Sequence, residues 1–193
     1  MYMQKIDKEG LMKLLEEWNT VFSKENFRIR LIAIGGTALT LLNLKASTRD
    51  IDFTLPLGEG VKKFESLFSK LKIKHIAMRR LKAGNFIIDV YYDDQIFTTT
   101  FPDGLVDECT LIHDFGNIKL FALSLYDIII SKLARSSVDD EQDIKAIFES
   151  KNIDLTKLKK RYQQIQELTL DKDMEYHFRR LIEVLLPVWK SNK

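Results

Sequence analysis

The chain has 193 residues, of which 45% are hydrophobic and 30% charged, enough to bury a sizeable core in an ordinary globular protein. No apolar run approaches the roughly 20 residues a membrane helix needs, and the charged opening from Met1 to Gly10 does not resemble a secretory signal, so a cytoplasmic protein with no membrane partner is expected. The lone Cys109 rules out an internal disulfide, while His75, His113 and His177 lie too far apart for zinc-ligand spacing.

In chain order, Leu11, Leu14, Leu15, Trp18 and Phe22 recur at helical spacing and predict an amphipathic helix within residues 1 to about 26. The run Ile29-Arg30-Leu31-Ile32-Ala33-Ile34 is short and β-branched, which predicts a buried strand ending at Gly35-Gly36. Two glycines let backbone N–H groups approach an anion with no Cβ in the way. Residues 37–44 then read as a helix whose N-terminus faces that turn, with Thr37 as its cap and a possible phosphate contact.

After a polar break at Ser47-Thr48-Arg49 comes Asp50-Ile51-Asp52-Phe53-Thr54-Leu55. In a strand, residues i and i+2 share a face, so Asp50 and Asp52 point one way while Ile51 and Phe53 enter the opposite layer. Two such carboxylates repel each other, and a hard cation with oxygen ligands, Mg²⁺ or Mn²⁺, offsets that repulsion and bridges to substrate phosphates. An ordinary strand with a polar face would show the same spacing. Phe86-Ile87-Ile88-Asp89-Val90-Tyr91-Tyr92 is the most strand-like run in the chain and carries an aspartate at its centre. Burying that charge is costly without compensation, so Asp89 is a candidate metal ligand or general base, the alternative being the solvent face of an edge strand.

Between these strands, residues 61–82 hold eight Lys or Arg against one acidic residue, Glu65. That stretch suits a phosphate backbone as well as a solvated helix face, since Phe64, Leu67, Phe68 and Leu71 supply an apolar stripe. A strand near Ile73 to Met78, a hairpin partner for the Asp89 strand near Ile96 to Thr100, a turn at Pro102-Asp103-Gly104 and a further strand around Leu111 and Ile118 complete an α/β half. From about residue 122 the pattern is helical. Ser124 and Asp127 have capping-box spacing before the stripe Leu125, Ile128, Ile129 and Leu133, and a second helix begins near Ser137. Lys132 faces either a triphosphate, steadied by Asp140 or Asp143, or simply those carboxylates in a structural ion pair.

Gly35-Gly36-Thr37, then Asp50-Ile51-Asp52, then Asp89 resemble the signature of the DNA polymerase β-like nucleotidyltransferase superfamily. Lys132-Leu133-Ala134-Arg135, continuing to Asp140 and Asp143, is similar to the AbiEii-type branch known from toxin–antitoxin and abortive-infection systems. The resemblance spans residues 29–150. It implies a mixed-sheet α/β nucleotidyltransferase core over residues 1–120 and a helical region over 121–193 that closes the cleft. The implied reaction moves a nucleotidyl group from an NTP to a hydroxyl acceptor with release of pyrophosphate. Carried over by position, Asp50, Asp52 and Asp89 are metal ligands and, with Lys132, catalytic residues. Gly35, Gly36, Thr37, Arg49, Lys132 and Asp143 bind the nucleotide. Many relatives carry an arginine where this chain has Ala46, and Lys45 or Arg49 would have to substitute. An RNA end, tRNA included, is the expected acceptor and a cognate antitoxin an expected partner. A protein or small-molecule hydroxyl acceptor, or a catalytically inert binding module acting as an antitoxin, is the alternative.

Overall fold

The computed structural model describes residues 5–58, 60–93, 95–169 and 173–191. Two compact units divide the chain: one takes in the chain up to Gln95 together with Asp103–Ser124, the other Ile96–Pro102 together with the chain from Leu125 onward.

The first unit is a mixed seven-stranded sheet with helices, as its alternating strand and helix patterns predict. Its strands are β1 (Ile29–Ala33), β2 (Asp50–Leu55), β3 (Ile73–His75), β4 (Arg80–Ala83), β5 (Phe86–Tyr92), β8 (Thr110–Asp114) and β9 (Ile118–Ala122), in the order β3-β4-β5-β2-β1-β9-β8. The pairs β2/β5 and β1/β9 are parallel and the others antiparallel. Alternation buries Ile51, Phe53 and Leu55 of β2 with Ile88 and Val90 of β5, and Thr54 is buried as well. Helix α1 (Lys8–Lys24) starts on the Asp7 side chain, which accepts from the Gly10 N–H, and buries Leu11, Leu15, Trp18 and Phe22. Phe64 of the short α3 (Val61–Ser66) meets Trp18 and Phe22 at ring-centroid distances of 6.1 Å each, so the apolar stripe of the basic segment is core while its lysines face out.

Several expectations are corrected here. Helix α2 (Gly35–Leu41) begins at the glycine pair rather than after it. The run from Ile73 bends after His75, so Met78 lies at the tip of the β3–β4 hairpin, 87% exposed. The segment around Ile96 to Thr100 does not pair with the Asp89 strand: β6 (Gln95–Ile96) and β7 (Thr99–Thr100) form their own two-stranded ribbon, because β2 and β4 already occupy both edges of β5. The strand expected around Leu111 and Ile118 is two, β8 and β9, folded back at Gly116.

The second unit is helical: α4 (Leu125–Arg135), α5 (Val138–Ser150), α6 (Leu155–Gln166), α7 (Asp173–Arg180), a π turn at Leu181–Leu185 and α8 (Leu186–Ser191). Ile128, Ile129, Leu133, Ile144, Ile147, Leu158 and Ile165 fill its core, and Tyr162 stacks on Phe178 at 4.0 Å. Asp127 is fully buried, with its two carboxylate oxygens accepting from Arg161 at 2.6 and 3.1 Å, so its carboxylate ties α4 to α6. Among the described residues no helix is long and apolar enough to cross a membrane.

Candidate functional site

Parallel pairing of β2 with β5 sets Asp52 directly opposite Asp89 and Asp50 opposite Ile87. Neighbouring strands lie about 4.8 Å apart and residues i and i+2 roughly 6.6 Å apart, so three carboxylate-bearing positions occupy one small patch of one sheet face. The sheet thus brings together the three aspartates the sequence singled out.

Helix α2 packs against β2, and Thr37 joins the two. Its hydroxyl donates to the Asp50 carbonyl at 3.2 Å and accepts from the Asp52 N–H at 2.9 Å. Thr37 is therefore not the helix cap: it is fully buried inside the first turn, and Ile34 occupies the cap position without a side-chain bond. Thr48 adds a second hydroxyl to the Asp50 carbonyl at 2.9 Å. The glycines have distinct reasons. Gly35 sits at φ 53°, a left-handed conformation costly for other residues, and a Cβ on Gly36 would lie 2.8 Å from Thr48 Oγ1. Replacing Thr37 with valine should cost about 1–3 kcal/mol, because the Asp52 N–H loses its acceptor in a dry place. Denaturant melting of the variant checks this, with a matching fall in whatever activity the aspartates serve.

Asp89 has a partner that the sequence reading missed. Arg80 of β4 stands opposite it and donates from Nε to Oδ1 at 3.0 Å and from Nη2 to Oδ2 at 2.8 Å. The carboxylate is 13% exposed and the arginine 51%. Hydrogen bonding to Asp89, then its charge, pushes the Arg80 guanidinium further above its already high range, and Asp50 adds to the effect. A readable signal existed: Gly84-Asn85 between Ala83 and Phe86 is a two-residue hairpin turn, which places residue 80 across from residue 89.

With both Asp89 oxygens turned to Arg80, no three His, Cys, Asp or Glu side chains among the described residues are clustered so as to hold a metal ion. The remaining chemistry nonetheless fits a hard cation. Asp50 Oδ1 is buried with no hydrogen-bond partner, an orphaned acceptor of the kind a divalent ion would satisfy, and Asp52 shares its face. Arg49, next to Asp50, is exposed, and so is Ala46.

Lys132 lies in the helical unit, 2% exposed, with Nζ donating to Asp140 at 2.9 Å and paired with Asp143 at 2.8 Å. Arg135 also donates to Asp140 at 2.6 Å while its guanidinium lies 3.8 Å from the Phe97 ring centroid. Ser137 caps α5 and donates to the other Asp140 oxygen at 2.7 Å. Burial alone would raise the Asp140 carboxyl, but Lys132, then Ser137 and Arg135, outweigh it and hold it below the ordinary carboxylate range. Of the two readings of Lys132, this geometry favours the structural ion pair.

A family model described as a nucleotidyltransferase of unknown function (DUF6036) matches residues 9–190. No curated protein matches. Among solved structures, the antibiotic-resistance factor ANT(2'')-Ia in solution is similar at a TM-score of 0.56 and 14% identity, covering 90% of this chain and 99% of its own. A crystal form of ANT(2'')-Ia in complex with adenylyl-2''-tobramycin gives 0.54 at 15% identity, covering 80% and 96%. An antigenic nucleotidyltransferase-like protein from Paracoccidioides brasiliensis gives 0.53 at 13% identity, covering 93% and 90%. At these identities the likeness is one of fold.

Proposed function

Because the chain belongs to the DUF6036 family of nucleotidyltransferases, we propose that it moves a nucleotidyl group from an NTP to a hydroxyl acceptor at the Asp50, Asp52 and Asp89 face. The observation that carries this reading is the β2/β5 register, which sets Asp50, Asp52 and Asp89 at neighbouring positions on one sheet face, together with the buried, unpartnered Asp50 Oδ1. In the transfer the acceptor oxygen bonds to the α-phosphorus as the α–β anhydride bond breaks. Pyrophosphate leaves, and the acceptor proton goes to Asp89. Asp50 and Asp52 would hold Mg²⁺ or Mn²⁺, with Asp89 joining them on turning away from Arg80. Such an ion supplies neutralisation of the triphosphate and polarisation of its oxygens. Gly35 and Gly36 would offer backbone N–H groups to the phosphate oxygens at the start of α2, and Thr37 keeps the aspartate strand against that turn. Arg49, exposed next to Asp50, reaches the same phosphates in place of the arginine that Ala46 lacks.

The acceptor in this reading is an RNA end, tRNA included. The string Lys132, Arg135, Asp140 and Asp143 supports a place with the AbiEii-type toxins, acting in the cytoplasm and held in check by a cognate antitoxin. A second reading, a small hydroxylated acceptor, draws on the fold likeness to ANT(2'')-Ia, whose complex holds an adenylylated tobramycin.

Incubation of the protein with Mg²⁺, each labelled NTP in turn, and total RNA, total protein or an aminoglycoside tests both. Label in RNA alone is the expected result. Label in the aminoglycoside alone would establish the second reading, label in protein a protein-modifying enzyme, and label nowhere an inert binding module.

A further inference from the structure

We infer that the acceptor is a polyanionic strand, single-stranded RNA, seated on a basic strip formed by Lys74, Lys82 and Arg80 next to the aspartates. This rests on the proposed reaction and narrows its substrate. The β3/β4 register places Lys74 directly opposite Lys82. The β4/β5 register continues that row to Ile87, and β2/β5 to Asp50; the next row runs Arg80, Asp89, Asp52. The two lysines therefore share the aspartates' face, Lys82 one strand and Lys74 two strands from Asp89, with Asp50 and Asp52 one strand further. Lys74 is exposed and Lys82 half-buried, whereas Leu81 and Ala83 on either side of Lys82 are buried.

Like charges directly opposite on a sheet are destabilising. Among the described residues neither Lys74 nor Lys82 has a carboxylate within ion-pair distance to offset that repulsion. A pair kept at that cost is explained by an anion that bridges it. An aminoglycoside is itself a polycation and would be repelled along this strip. A phosphodiester strand would be attracted, its terminal hydroxyl at the aspartates and the preceding phosphates over Lys82 and Lys74.

The test uses the full chain, a labelled single-stranded oligoribonucleotide with a free 3′ hydroxyl, and Lys74→Ala/Lys82→Ala and Lys74→Glu/Lys82→Glu. Each single-strand phosphate contact contributes about −0.7 to the slope of log affinity against log salt, so the alanine double variant should flatten that slope by about 1.4. The charge-reversed variant should bind the oligonucleotide at least tenfold more weakly. In the alanine double variant NTP binding should stay within twofold of wild type, and thermal stability should be unchanged or raised, since a repulsive pair has gone. Unaltered RNA affinity and slope in both variants would overturn the strip. So would competition in which tobramycin, and no oligonucleotide, accepts label; that result leaves the nucleotidyl transfer standing. RNA binding with the expected slope but no label transferred from any NTP would uphold the strip and remove the reaction instead.

Discussion

Asp52→Asn should lower nucleotidyl transfer by roughly a thousandfold, about 4 kcal/mol of lost transition-state stabilisation, while the protein stays folded. Asparagine keeps the size of the side chain and the backbone N–H that Thr37 accepts from at 2.9 Å, so the strand is not disturbed. What it removes is the negative charge that stands in register with Asp89 and two residues from Asp50. Relief of that crowding among carboxylates should leave the melting temperature equal to or above wild type. Single-turnover incorporation from labelled NTP, read beside a thermal melt, checks both halves. Transfer at the wild-type rate in a folded variant would remove these aspartates from the reaction. A collapse of stability would mean that Asp52 is there for the fold.

The shared face of the aspartates is legible in the sequence. Alternation along Asp50 to Leu55 separates the aspartates from Ile51 and Phe53, and the apolar context of Asp89 marks it as compensated. The compensator was the harder part, because Arg80 meets Asp89 only through the register of a hairpin whose turn, Gly84-Asn85, is a weak signal inside a basic segment. The cap position that the sequence suggests for Thr37 falls instead at Ile34, for a related reason. Glycines suggest a loop, yet both sit inside α2, Gly35 for its φ of 53° and Gly36 because a Cβ there would meet Thr48. Local spacing likewise could not show that Gln95–Ile96 and Thr99–Thr100 pair with each other, since that depends on which strands already flank β5.

The lysine that resemblance ties to phosphate is expected to matter most for stability. Lys132→Met removes one ammonium from two carboxylates at a position 2% exposed, and leaves Asp140, 4% exposed, with only Arg135 and Ser137. Breaking a buried pair from one side costs about 3–5 kcal/mol, a fall in melting temperature on the order of 10 °C for a chain of this size. NTP affinity should change less than this in free-energy terms. The pH dependence separates the network from general packing. Asp140 is held below the ordinary carboxylate range in the folded protein, so its contribution is complete above the unfolded value of about 3.9 and is lost as pH falls through the lower folded value. Wild type should therefore lose stability on acidification below about pH 4 more steeply than Asp140→Asn, which starts less stable and lacks that titration. Lys132→Met that melts like wild type but binds NTP far more weakly would reverse the assignment, making the ammonium a phosphate ligand whose carboxylates merely aim it.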